Sequence, residues 1–164
     1  MSASYDTKSY CRQSLIGGNY GLLNRDTFTP NPDYYSALLW HRLMGPKVLS
    51  ANFIGTKKIR VYSHCAKHSE GITLLLLNLD QHKRTHVTVK GGGSKQREEY
   101  HLTAKDGNLH SQEVLLNGIA LNLNSKGGIP ALKPNRVDES HPIELAPLSI
   151  VFAHLPNFHA PACV

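Results

Sequence analysis

Tyr10-Cys11-Arg12-Gln13-Ser14-Leu15-Ile16-Gly17-Gly18-Asn19-Tyr20 and, shortly after it, Asn31-Pro32-Asp33 decide how this chain reads. Tyr10 to Ile16 has the pattern of a short strand, in which Cys11 is expected to be buried. No helper histidine beside Cys11 marks it as a nucleophile. Gly17-Gly18 relieves steric limits, so the backbone can turn at Asn19 or approach a ligand closely, presenting Tyr20. Asn31 then suits a helix N-cap, Pro32 the first helical position and Asp33 the positive helix end. A helix is expected from Pro32 to about Met44, with Tyr35, Leu38, Leu39 and Leu43 on one face and Trp40 widening it. Gly45-Pro46 is expected to stop it, glycine taking a left-handed cap. Strand, polar loop and helix make one βα unit. In barrels and open α/β sheets, the loop at a strand's carboxyl end is where chemistry is usually placed.

Everything beyond Lys47 changes to a period of two. Val48 to Ile54, Lys58 to Cys65, Thr85 to Val89 and Glu98 to Thr103 read as strands, and Ile72 to Leu79 is apolar on both faces, as a central strand would be. Gly91-Gly92-Gly93-Ser94 reads as a flexible connection. In Val114-Leu115-Leu116-Asn117-Gly118-Ile119-Ala120-Leu121, Asn-Gly supplies the positive φ angles of a two-residue hairpin turn. Ser125 to Pro142 reads as a loop, and Glu144 to Leu155 closes the fold with Pro147 interrupting it. About seven or eight short strands predict an antiparallel β-sandwich.

Composition bounds the partners. The 164 residues are 40% hydrophobic and 18% charged, which places the chain among globular proteins. Its net charge is +6, and protonating the ten histidines would add ten more. An anionic partner fits this balance: an acidic polysaccharide, an anionic membrane surface met peripherally, or nucleic acid. Lysines and arginines cluster only at Lys57-Lys58-Ile59-Arg60, which argues against a dedicated nucleic-acid module. The first nine residues carry little pattern and are expected to fray, with no apolar run to make a signal peptide. Three cysteines are too few for a disulfide scaffold but allow one bridge.

Taken together, Arg12-Gln13, Gly18-Asn19-Tyr20, Pro32-Asp33-Tyr34-Tyr35 and Leu43-Met44-Gly45-Pro46-Lys47-Val48-Leu49 resemble heparanase and the plant heparanase-like proteins of glycoside hydrolase family 79. Arg60-Val61-Tyr62-Ser63-His64-Cys65, Val114 to Leu121 and the terminal Ala162-Cys163-Val164 resemble the same family, in the same order. The resemblance implies a mainly β fold. Residues 1–46 would be the last strand–helix unit of an incomplete (β/α)8 barrel, and residues 47–164 the C-terminal β-sandwich. It implies that Gly18 and Tyr20 hold substrate, that Cys65 and Cys163 pair as a disulfide, and that the parent enzyme is a secretory-pathway protein of β-glucuronidase or endo-glucuronidase type. Substrates would be glucuronate-containing polysaccharides or glucuronides, with no cofactor and no metal.

A retaining glycosidase needs two carboxyl groups about 5–5.5 Å apart. By resemblance that pair lies on earlier barrel strands. Glu70, Glu98, Glu99, Glu113, Glu139 and Glu144 all fall in the sandwich region, outside the family's catalytic motifs, so the chain alone is expected to be inactive and to associate with the absent barrel portion. His64, Cys65 and His68 fit no zinc spacing, and the remaining histidines are expected to be solvated. The competing reading is a non-catalytic β-sandwich that binds acidic glycans or assists packing. A third is a truncated form whose helix face (Leu38, Leu39, Trp40, Leu43) has lost its neighbours.

Overall fold

The computed structural model describes residues 2–5, 7, 9–18, 20–91 and 95–164. The expected turn residue Asn19 and the Gly92–Ser94 part of the expected connection lie outside them.

The period-two signal resolves into ten strands among the described residues: β1 Met44–Leu49, β2 Ile59–Ala66, β3 Ile72–Asn78, β4 Thr85–Val87, β5 Gln96–Ala104, β6 Val114–Leu116, β7 Ile119–Ala120, β8 Asn135–Asp138, β9 Ile143–Leu145 and β10 Ser149–Leu155. One antiparallel sheet runs β1-β2-β3-β10-β5-β6-β7, with β8 on the free side of β5, and β4 pairs with β9 in a second, two-stranded sheet. The fold is mainly β, as expected.

β10 sits at the centre, its full length paired with β3 from Ser149↔Asn78 to Leu155↔Ile72 and its other edge with β5. Alternation along β10 builds two cores. Val151, Ala153 and Leu155 pack with Ile72, Leu74 and Leu76 against Val87, Ile143 and Leu145 of the small sheet. Phe152 on the opposite face packs with Tyr100, Leu102 and Leu116 against Tyr35 and Leu39 of the helix α1, Pro32–Leu43. A strand covered on both faces has no place for polar alternation, which is why Ile72 to Leu77 is almost uniformly apolar. Each large side chain buried this way contributes about 1.5–3 kcal/mol.

Three of the four residues of the helix face expected to be orphaned are therefore covered. Leu39 is fully buried, Trp40 and Leu43 pack against the sheet cluster, and Tyr35 Oη donates to the Leu121 carbonyl at 3.0 Å. Asn31 occupies the N-cap, but its side-chain amide donates to the Gly21 carbonyl at 2.7 Å and caps nothing. The left-handed cap expected at Gly45 is also absent. Met44 is already extended, and the last helical carbonyls find tertiary donors instead: Lys67 Nζ on His41 at 2.6 Å, and Thr73 Oγ1 on Leu43 at 3.0 Å. With those acceptors satisfied, no cap turn is needed. Glycine is required at 45 for closeness, since a Cβ there would lie 2.5 Å from the Cys65 carbonyl oxygen. Residues 46 and 47 both lie within β1.

Other expectations change as well. Tyr10 to Ile16 forms no ladder; its one strand-like contact is the bridge Ile16↔Leu23, and Tyr10 and Cys11 are exposed. An extended segment without a paired neighbour cannot satisfy its backbone as a strand does. The first strand begins at Met44, before the expected Val48, and the loop read at Ser125 to Pro142 contributes β8. The Asn-Gly hairpin stands: Asn117 and Gly118 have φ of 51° and 81°, with Leu116 opposite Ile119. Cys65 and Cys163 are bridged, with Cα atoms 5.4 Å apart and 98 positions between them in sequence. A loop that long makes the bridge worth roughly 4–5 kcal/mol in the chain-entropy picture.

Candidate functional site

Residues 10–33 form a polar turn packed on the start of α1. Gly17 and Gly18 have φ of 115° and 62°, so the chain does reverse there, in a region where a side chain would be strained. A Cβ on Gly18 would stand 3.0 Å from the Tyr20 ring, so the two residues singled out from sequence are in contact. Tyr20 is exposed and its neighbour Leu15 likewise, leaving the ring open to solvent.

One guanidinium holds this turn. Arg12 Nη2 donates to the Tyr20 carbonyl at 2.6 Å and to Asp33 Oδ2 at 2.6 Å. Asp33 is in the first turn of α1, so Arg12 ties the tyrosine to the helix end. Backbone bonds from Leu22 to Ser14 (3.1 Å) and Leu23 to Leu15 (2.9 Å) close the turn from below. Beneath it, Tyr10, Arg12 and Asp33 roof a cavity of about 270 Å³ whose floor is Trp40, Leu75 and Phe152. No local pattern around Arg12 marks it as a clamp; its two partners, Tyr20 and Asp33, lie 8 and 21 positions away in sequence.

Four of the six glutamates are engaged elsewhere. Glu99 is buried, receiving Arg97 Nε at 2.6 Å and His101 Nε2 at 2.7 Å. Burial alone would raise its pKa; the hydrogen bonds and charge of His101 and Arg97 outweigh this and hold the carboxyl below the usual glutamate range. Glu144 pairs with Arg84, and Glu113 with Lys105. Glu98 stands 3.6 Å from His154 Nδ1 and 3.7 Å from Arg136. Among the described residues no cluster of three His, Cys, Asp or Glu could hold a metal.

His154 is buried and His101 mostly so, against the expectation that histidines other than His64 and His68 are solvated; His64 is buried as well. His64 Nδ1 donates to the Gly45 carbonyl at 2.6 Å and its ring meets Trp40 edge-on. Ser69 Oγ, His154 Nε2 and Glu98 line up in the order of a nucleophile triad, with 2.9 Å between Ser69 and His154. The same Nε2 lies 3.2 Å from the Glu70 carbonyl, an acceptor only. That nitrogen must therefore carry a proton, and a protonated Nε2 is no base for Ser69. The group fastens the β2–β3 loop to β10.

No protein-family model matches the chain. Heparanase-like protein 3 of Arabidopsis thaliana is 54% identical over 99% of the chain. Baicalin-beta-D-glucuronidase of Scutellaria baicalensis is 55% identical over 95% of it. The chain is a homologue of the plant heparanase-like proteins. It spans about a third of the length of these relatives, 35% and 30% respectively. A GH51 α-L-arabinofuranosidase from Thermotoga petrophila shares the fold at 13% identity, with a TM-score of 0.53 over 79% of this chain and 30% of that one. The heparanase-like relationship thus covers the Arg12–Tyr20 turn, α1 and the whole sheet assembly at once.

Proposed function

We propose that this chain forms part of a retaining glycoside hydrolase of β-glucuronidase type, in which the Gly17–Tyr20 turn supplies one wall of the sugar site. The observation that carries the reading is the 55% identity, over nearly the whole chain, to a protein named as a β-D-glucuronidase. The geometry is compatible with it: a glycine backbone in contact with an exposed tyrosine can approach a carboxylate closely, and the tyrosine hydroxyl can donate to it. The catalytic carboxyl pair would come from barrel strands outside these 164 residues; within them, Glu98, Glu99, Glu113 and Glu144 are already paired with cations or histidines. The exposed Tyr10, Leu15, Tyr20 and Phe28 fit a segment made to face such a barrel. The Cys65–Cys163 bridge favours an oxidising, secretory route.

The test is Tyr20→Phe in a longer protein carrying this chain behind its barrel. Loss of a hydroxyl bond to a charged group costs about 1.5–3 kcal/mol, so kcat/KM on an aryl β-glucuronide should fall by about ten-fold or more. Unchanged kinetics would remove Tyr20 from the site. A second reading, glycan binding without chemistry, is favoured by the net charge of +6. It needs salt-sensitive retention on heparin that grows from pH 7 to pH 5.

A further inference from the structure

On the opposite side of the large sheet from α1, a second cleft of about 240 Å³ opens between β5, the β6–β7 turn, β8 and the β4–β9 ribbon. Its walls are Arg84, His101, Thr103, Asn117, Gly118, Asn135, Glu144 and Ala146, with no large apolar side chain among them. The geometry points to this cleft as a binding site for a single acidic sugar unit, distinct from the Gly17–Tyr20 turn.

Three observations carry it. His101 is held by a buried line of charges, Arg97 to Glu99 to His101, with Arg97 and Glu99 almost wholly inaccessible. Burying an ion pair costs several kcal/mol in desolvation and is rarely the most stable choice for a core. Here it fixes one imidazole at a cleft wall, with Nε2 committed to Glu99 and Nδ1 facing no protein partner among the described residues. The Thr103 hydroxyl and the Asn135 amide also have no protein hydrogen-bond partner there, and Arg84 uses only Nη1, on Glu144. Four strands and a turn thus bring free donors and acceptors to one depression. Finally, a Cβ at Gly118 would meet nothing within 4 Å, so the cleft has room over the hairpin tip.

The chemistry of the lining names the class. Thr103, Asn135 and His101 Nδ1 match hydroxyl groups; the Arg84 nitrogens not used on Glu144 match a carboxylate. The volume is below the range of about 300–1,000 Å³ of drug-sized pockets, which suits a monosaccharide unit. His101 is faced by Glu99 and, through it, Arg97 on its own strand, and by Arg84 and Glu144 across the cleft, with His86 beside Glu144.

The test is an amide-resolved NMR titration of the 164-residue chain with D-glucuronate, with glucose and inorganic sulfate as separate arms. A ligand of this size should bind at ~1–10 mM. Glucuronate should shift His101, Thr103, Gly118 and Asn135, and bind at least two-fold more tightly than glucose or sulfate. Thr103→Val and Asn135→Ala, neither hydrogen-bonded to the buried charges, should each weaken it about five-fold with the fold intact. Tyr20→Phe should leave these shifts unchanged, so failure of the turn as a sugar site is read separately. No shift at these residues, or an equal response to glucose or sulfate, would overturn the proposal.

Discussion

The turn at residues 10–31 and the sheet body at 44–164 are held by different means. In the body, backbone groups are spent in antiparallel ladders and the side chains of β10 are buried on both faces. In the turn, Tyr10 is 82% exposed and Phe28 64%, and the fastenings are two isolated bridges, a few turn bonds and one arginine. The body satisfies its own backbone and core. In the turn, Tyr10, Leu15, Tyr20 and Phe28 face outward while Arg12 anchors the chain to the start of the helix. Local stability follows contact density, so the turn should open at far lower free energy than the body.

The largest expected effect lies in the body. Reducing or removing the Cys65–Cys163 bridge should lower unfolding stability by about 4–5 kcal/mol, checked by urea denaturation with and without reductant. Glu99→Ala should cost about 3–5 kcal/mol, because it leaves Arg97 buried and uncompensated. Glu99 also makes the body acid-sensitive. Its folded pKa is depressed, so its contribution is complete above the ordinary glutamate value of about 4.3 and is lost as pH falls through the lower folded value. Urea midpoints should be flat from pH 7 to pH 5 on this account and fall below pH 4.

The smallest effect should come from the turn. Arg12→Ala removes a half-exposed ion pair worth about 0.2–1 kcal/mol, so global stability should barely move. Proteolysis within residues 9–31 should nonetheless accelerate by about two- to five-fold. A large drop in global stability with Arg12→Ala would erase the contrast between the two regions.

The same contrast decides what could be read from sequence. Period-two strands, the Asn117-Gly118 hairpin and the two-faced run at Ile72 were legible because local pattern and burial agree there. The turn was legible as a glycine pair presenting a tyrosine, yet its supposed strand was not one, since strand pairing is not a local property. Gly45 was misjudged because the helix end is satisfied by Lys67 and Thr73, distant in sequence. The Arg97–Glu99–His101 line is an i, i+2, i+4 repeat on one face of β5. That period was visible, but nothing in the sequence said that this face turns inward.

Hydrolysis of an aryl β-glucuronide tests the central claim most directly, measured for the purified 164-residue chain and for a longer protein in which the chain follows its barrel. The account predicts turnover by the longer protein and none by the chain alone. Turnover by the chain alone would place a working carboxyl pair within residues 1–164 and contradict it.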